Sequence, residues 1–207
     1  DLDIADMLSG FVSNPMEYAE ASKVSLFSIG DYTWNMPVYD SNASWEAAMK
    51  YLMPENYESF RFFCENNVDL GANTHGLRRY NESPEFVEAK NIFDSKITSD
   101  REAAYAAVGE QFKKFVTTAD ILQNSDEAPS LINEIEPWIH AMRYMGLKGV
   151  SIIEMNNAIA CENPDSFINS YLRYKEFDDA QAALRSREFE GSLKSATPVV
   201  ATLHVEP

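Results

Sequence analysis

The sequence predicts a mainly α protein: a multihelical bundle entered through one strand–helix unit. Three observations carry that expectation. Two long segments place apolar residues at alternating three- and four-residue steps, the spacing of one helix face. Only eight Gly and nine Pro interrupt 207 residues, so long stretches are free of breakers. Hydrophobic residues make up 45% and aromatics 12%, enough for a packed core and against disorder.

Taken in order, the apolar run Met7 to Val12, interrupted by Ser9-Gly10, is too short for a helix and suits a buried strand. Ser13-Asn14-Pro15-Met16-Glu17 then reads as a helix start, with Asn14 as N-cap, Pro15 in the first turn and Glu17 behind it. That helix should reach about Tyr32. Ser44-Trp45-Glu46-Ala47 opens a second helix with Ser44 as cap, ending before Pro54. A third runs from about Glu55 to Asn66 and carries Tyr57, Phe60, Phe63 and Cys64. Val68 to Ser83, with Gly71, Asn73, Gly76 and Asn81, has turn chemistry, and Pro84 opens the next helix.

The two seams follow. Tyr105, Val108, Phe112, Phe115, Ala119 and Leu122 step 3, 4, 3, 4, 3, with Glu110, Lys113 and Lys114 on the other face. Leu131, Ile135, Trp138, Met142 and Met145 form the second seam, which resumes at Ile152, Met155 and Ile159. Pro137 and Gly146 or Gly149 should bend or divide that helix. A last helix follows Asn163-Pro164, with Phe167, Tyr171 and Tyr174 on one face. Antiparallel helices of this length with short connections make a bundle. From Gly191 the character changes, and Thr197 to Leu203 is β-prone, a linker or the first strand of a further domain.

Charge narrows the function classes. Seventeen Lys and Arg against 33 Asp and Glu leave a net −16, which argues against a sequence-independent grip on nucleic acid and against docking on anionic membranes. No uncharged apolar run reaches the roughly 18 residues of a membrane span, and no signal peptide is expected. Cys64 and Cys161 are too few for a disulfide scaffold and read as buried free thiols.

The chemistry-bearing residues are sparse. Asp178-Asp179 is the only adjacent Asp pair; helix neighbours point about 100° apart, so it reads as a solvated face. None of the three histidines follows a Glu by three residues, as a di-metal bundle would require. Glu136 and His140 read as a surface pair. No Cys-x-x-Cys, phosphate loop or nucleophile elbow is present, and no metal or cofactor is expected. Asn42-Ala43-Ser44 and Asn81-Glu82-Ser83 match the glycosylation acceptor pattern, which arises often by chance. Two places remain. Asn14, at the carboxyl end of a strand, is either a helix cap or a ligand contact. The loop around Asn73, His75 and Arg78 is either a solvated connection or a functional rim.

Leu8 to Glu20, read Leu-Ser-Gly-Phe-Val-Ser-Asn-Pro-Met-Glu-Tyr-Ala-Glu, resembles the last active-site segment of bacterial glycoside hydrolase family 84. These are β-N-acetylglucosaminidases, related to O-GlcNAc hydrolases and also called hyaluronidases. Ser28-Ile29-Gly30-Asp31-Tyr32-Thr33-Trp34-Asn35, Tyr39-Asp40 and Ser44-Trp45 resemble the junction after that family's (β/α)8 barrel. Asn66 to Arg79 and Glu136-Pro137-Trp138-Ile139-His140 resemble its post-catalytic helical domain, and Ser195-Ala196-Thr197-Pro198 its exit toward a β-rich module.

The resemblance implies a division into residues 1–40, the end of a catalytic barrel; 41–190, a post-catalytic bundle; and 191–207, a linker or first strand. It implies a substrate-assisted retaining mechanism, in which the sugar's 2-acetamido oxygen attacks the anomeric carbon. An Asp pair on an earlier barrel strand assists, and no segment here matches it. The chain is therefore expected to be the C-terminal, largely non-catalytic part of such an enzyme, with no catalytic residue of its own. Asn14 matches a family Asn that hydrogen-bonds N-acetylglucosamine; Asn73, His75 and Arg78 match a loop at the substrate entrance. The implied partners are a GlcNAc-bearing glycan or glycoprotein and the rest of the barrel, with no nucleic acid and no membrane insertion. The implied location is secreted or periplasmic. The alternative is a stand-alone helical bundle that binds protein or glycan.

Overall fold

The computed structural model describes residues 7–13, 18–34, 36–67 and 83–185. Within them seven α-helices follow one another: α1 (Ala19–Trp34), α2 (Ser41–Leu52), α3 (Tyr57–Glu65), α4 (Pro84–Lys96), α5 (Arg101–Gln123), α6 (Pro129–Ala160) and α7 (Pro164–Arg185). A 3-10 turn, Met36–Val38, separates the first two. The mainly α, multihelical architecture is the one predicted. Among the described residues no helix is long and apolar enough to cross a membrane.

Caps place the helix starts. Asp40, not Ser44, opens α2: its carboxylate accepts from the Ala43 N–H at 2.8 Å, and Ser44 is buried inside the helix. Asp100 does the same for α5 through Ala103, and Asn163 for α7 through Ser166. Pro84, Pro129 and Pro164 stand at the first helical position, where a missing N–H costs nothing.

The core lies where α5 and α6 pack along their lengths. Phe112, Phe115 and Leu122 of α5 and Leu131, Ile139 and Met142 of α6 are almost wholly buried. Phe86 of α4 brings its ring to 5.5 Å from Phe112 and 5.8 Å from Phe115, and Phe62 of α3 reaches Phe115 at 5.8 Å. Every member of the Tyr105-to-Leu122 seam is buried, as its spacing predicts.

Several local expectations change. Residues 7–13 form no strand; Met7, Leu8, Phe11 and Val12 are exposed instead. A strand needs a ladder neighbour, and the described residues contain no strand to pair with. The α6 helix is undivided across Pro137, Gly146 and Gly149. The two glycines admit the α5 backbone and the Phe112 ring, so they pack the bundle and do not break it. Ile159 is exposed on the last turn of α6, although its neighbour Ala158 is buried and Arg101, at the start of α5, bonds Asn156 nearby. Tyr171 faces solvent, because α7 meets α6 through a polar seam. There Lys148 donates to Asp178 at 2.7 Å and to Gln181 at 3.0 Å, while Ser170 and Arg173 both donate to Glu154. Cys161 is exposed at the end of α6, contrary to the buried thiol expected there. The β-prone segment 197–203 lies outside the described residues.

Candidate functional site

Asn14, Asn73, His75 and Arg78 all lie outside the described residues. What the structure does place is the chain on either side of them. Tyr18 follows the Asn14 segment, and Asn67 precedes the His75 loop; both line one cavity of about 320 Å³ between α1, α3 and α6. The loop's other end is nearby, since the Ser83 N–H donates to the Glu65 carbonyl at 3.0 Å. The two candidate segments thus depart from a common neighbourhood, because Tyr18 and Asn67 share one cavity wall.

The cavity is walled by aromatic and aliphatic groups, among them Trp45, Phe60, Phe63 and Trp138. Polar groups in that wall include Ser25, Cys64 and Asn67. The Asn67 amide donates to the Phe63 carbonyl at 2.8 Å, while its Oδ1 is buried without a partner. Burial pushes the Cys64 thiol well above its ordinary pKa, so it stays protonated and inert as a nucleophile.

Two carboxylates from distant parts of the chain hold the helix starts around this cavity. Glu134 of α6 accepts through one oxygen from the N–H groups of Glu20 at 2.9 Å and Ala21 at 3.0 Å, at the start of α1. Glu127, between α5 and α6, accepts from the N–H groups of Glu55 and Asn56 and from the Asn56 side chain, ahead of α3. The first N–H groups of a helix have no internal acceptor, and an anion there also meets the positive end of the helix dipole. Sequence reasoning misses both residues. Their targets lie 114 and 72 positions away, and no local spacing signals such a cap.

The other candidates resolve as structural. Asp178 pairs with Lys148 and Lys175, and Asp179 with Lys175 on an exposed face, so the two do not work as a dyad. Glu136 and His140 face each other at 3.5 Å along α6.

Fold and geometry together define a helical bundle to which a preceding helix is clamped at its first turn. Residues 82–203 match the family described as bacterial GH84, post-catalytic domain, and residues 1–65 match the one described as beta-N-acetylglucosaminidase. The chain belongs to the bacterial GH84 post-catalytic domain family. Among solved structures it is similar to CpGH84B, at 23% identity and a TM-score of 0.69 over 94% of this chain and 35% of that one. It is similar to CpGH84D at 22% identity and a TM-score of 0.72, over 93% and 35% of the two chains. A mutant of the Thermobaculum terrenum O-GlcNAc hydrolase matches at 20% identity and a TM-score of 0.72, over 95% and 42%. At these identities the likeness is one of fold, and the chain spans well under half the length of each.

Proposed function

We propose that this chain is the C-terminal part of a β-N-acetylglucosaminidase that removes terminal β-linked GlcNAc by a substrate-assisted retaining mechanism. The observation that carries the reading is the order of the two family matches: a β-N-acetylglucosaminidase stretch over residues 1–65, followed by the GH84 post-catalytic domain over 82–203. In this reading residues 1–40 complete a catalytic barrel, 41–190 form the bundle that supports it, and 191–207 lead onward. The exposed apolar side chains Met7, Phe11, Val12 and Trp34 support it, because a barrel would cover them. A stand-alone bundle would leave them in water.

The sugar supplies its own nucleophile, the 2-acetamido oxygen, and the assisting Asp pair belongs to an earlier part of the barrel. Asn14 contributes binding: its side-chain amide offers two donors and an acceptor, which suits neighbouring hydroxyls of a pyranose. Asn73, His75 and Arg78 form a rim of the substrate entrance, and the enzyme works in a secreted or periplasmic setting. The test compares the full-length protein with residues 1–207 on a chromogenic β-N-acetylglucosaminide. Turnover by the full-length protein alone is expected. Turnover by residues 1–207, above a buffer blank, overturns the reading.

A further inference from the structure

We propose that the cavity between α1, α3 and α6 is a binding site for a small uncharged ligand, a flat bicyclic ring system with one hydrogen-bond donor that Asn67 Oδ1 accepts. This goes beyond the glycosidase reading and does not depend on it.

The walls are held in place from outside. Helix α1 lines the cavity with small side chains, Ala21, Val24 and Ser25, and the other helices line it with large ones, among them Trp45, Phe60, Phe63 and Trp138. Phe60 and Phe63 stack with centroids 6.5 Å apart, the Arg61 guanidinium sits 5.9 Å over the Trp45 ring, and Trp138 meets Tyr18 edge to face at 5.4 Å. Leu131 and Ile135 are buried in the core. Walls braced in this way do not close onto the space, which measures about 320 Å³. An apolar cavity of about 150 Å³ takes benzene, so two fused rings fit here.

The wall also selects by charge. None of its residues is ionic, in a chain of net −16. Burial keeps the Cys64 thiol protonated, so it adds no charge. An ion entering would give up its hydration without meeting a counter-charge. The polar requirement comes from Asn67. Its Nδ2 must meet the Phe63 carbonyl, which can only accept, and so Oδ1 is the atom left buried without a partner. A ligand N–H or O–H satisfies that acceptor, whereas a ligand lone pair at the same place is repelled.

The test titrates the full-length protein with indole, benzofuran and indole-3-carboxylate by calorimetry. Indole carries a donor on the ring frame, benzofuran an acceptor in its place, and the carboxylate adds a charge. Saturable binding of indole is expected, about five- to tenfold tighter than that of benzofuran, with no binding of the carboxylate. Asn67→Leu removes the acceptor at similar size and should bring indole and benzofuran to equal affinity. Ala21→Leu fills the cavity while leaving the main-chain bond to Glu134 in place. It should abolish binding of both, and it decides the question even if the Asn67 variant does not fold. Absence of saturable indole binding to the full-length protein would overturn the proposal, a side chain from elsewhere in the enzyme then being the occupant. Equal affinities for indole and benzofuran in the unaltered protein, or indole binding that Ala21→Leu leaves unchanged, would overturn it as well.

Discussion

The ring of Phe112 occupies the space that a Cβ on Gly149 would need. Phe112 is wholly buried, so its ring has nowhere to retreat. At Gly146, one turn earlier, a Cβ would come within 2.5 Å of the Phe112 carbonyl oxygen and 3.0 Å of the Phe115 Cβ. Helix propensity favours Ala over Gly by about 1 kcal/mol, but overpacking a core costs about 1–3 kcal/mol. Gly149→Ala and Gly146→Ala are therefore expected to lower unfolding free energy, read by urea denaturation. Gly30→Ala, where nothing lies within 4 Å of the new methyl, should raise it by about 0.5–1 kcal/mol. Stabilisation at Gly149 would show that α5 and α6 do not approach as described.

Asp178 carries a pH signature. The hydrogen bond from Lys148 holds its carboxyl below the ordinary value of 3.8. Its contribution is therefore complete above that value and is lost as pH falls through the lower folded-state pKa. Asp178→Asn should cost about 0.5–1 kcal/mol near neutral pH, given the partial exposure of the pair. The difference between the two proteins should shrink as pH falls below 3.8 and through the lower folded-state pKa. A gap that widens in acid would contradict the assignment.

The two thiols should separate kinetically. Cys161 is exposed, whereas burial raises the pKa of Cys64. An aromatic disulfide reagent at mildly alkaline pH should titrate Cys161 promptly and Cys64 only after denaturant is added. Prompt reaction of both would mean that the cavity beside Cys64 is open to reagent.

His75 tests the entrance rim. A rim residue meets the aglycone rather than the sugar, so His75→Ala in the full-length protein should raise KM for glycopeptides several-fold more than for a small aryl glycoside. Equal effects on the two substrates, or none on either, would return the loop to a solvated connection.

The parts of this fold that are legible in the sequence are those set by local spacing. The Tyr105-to-Leu122 seam announces itself because a buried helix face repeats every three or four residues. Gly146 and Gly149 mislead, because glycine has the same one-letter signal whether it breaks a helix or admits a neighbouring ring. Tyr171 misleads because apolar patterning cannot register a contact made by Lys148, Asp178 and Gln181. Glu134 and Glu127 are illegible for a different reason: each acts on amides that only the finished fold brings near. For Asn14, the bare residues favour a cap over a ligand, and it is the resemblance of its flanking segment that turns the reading toward a ligand contact.

The Glu134 clasp also sets an order of events during translation. The amides it holds leave the ribosome 114 residues before their acceptor does. At about 5–20 residues per second, that interval lasts about 6–23 s. Through it, the first turn of α1 has only water as a partner, so the nascent helix should dock after α6 emerges. Nascent chains stalled after Glu134 has cleared the ribosome should protect α1 from protease, and chains stalled before it should not.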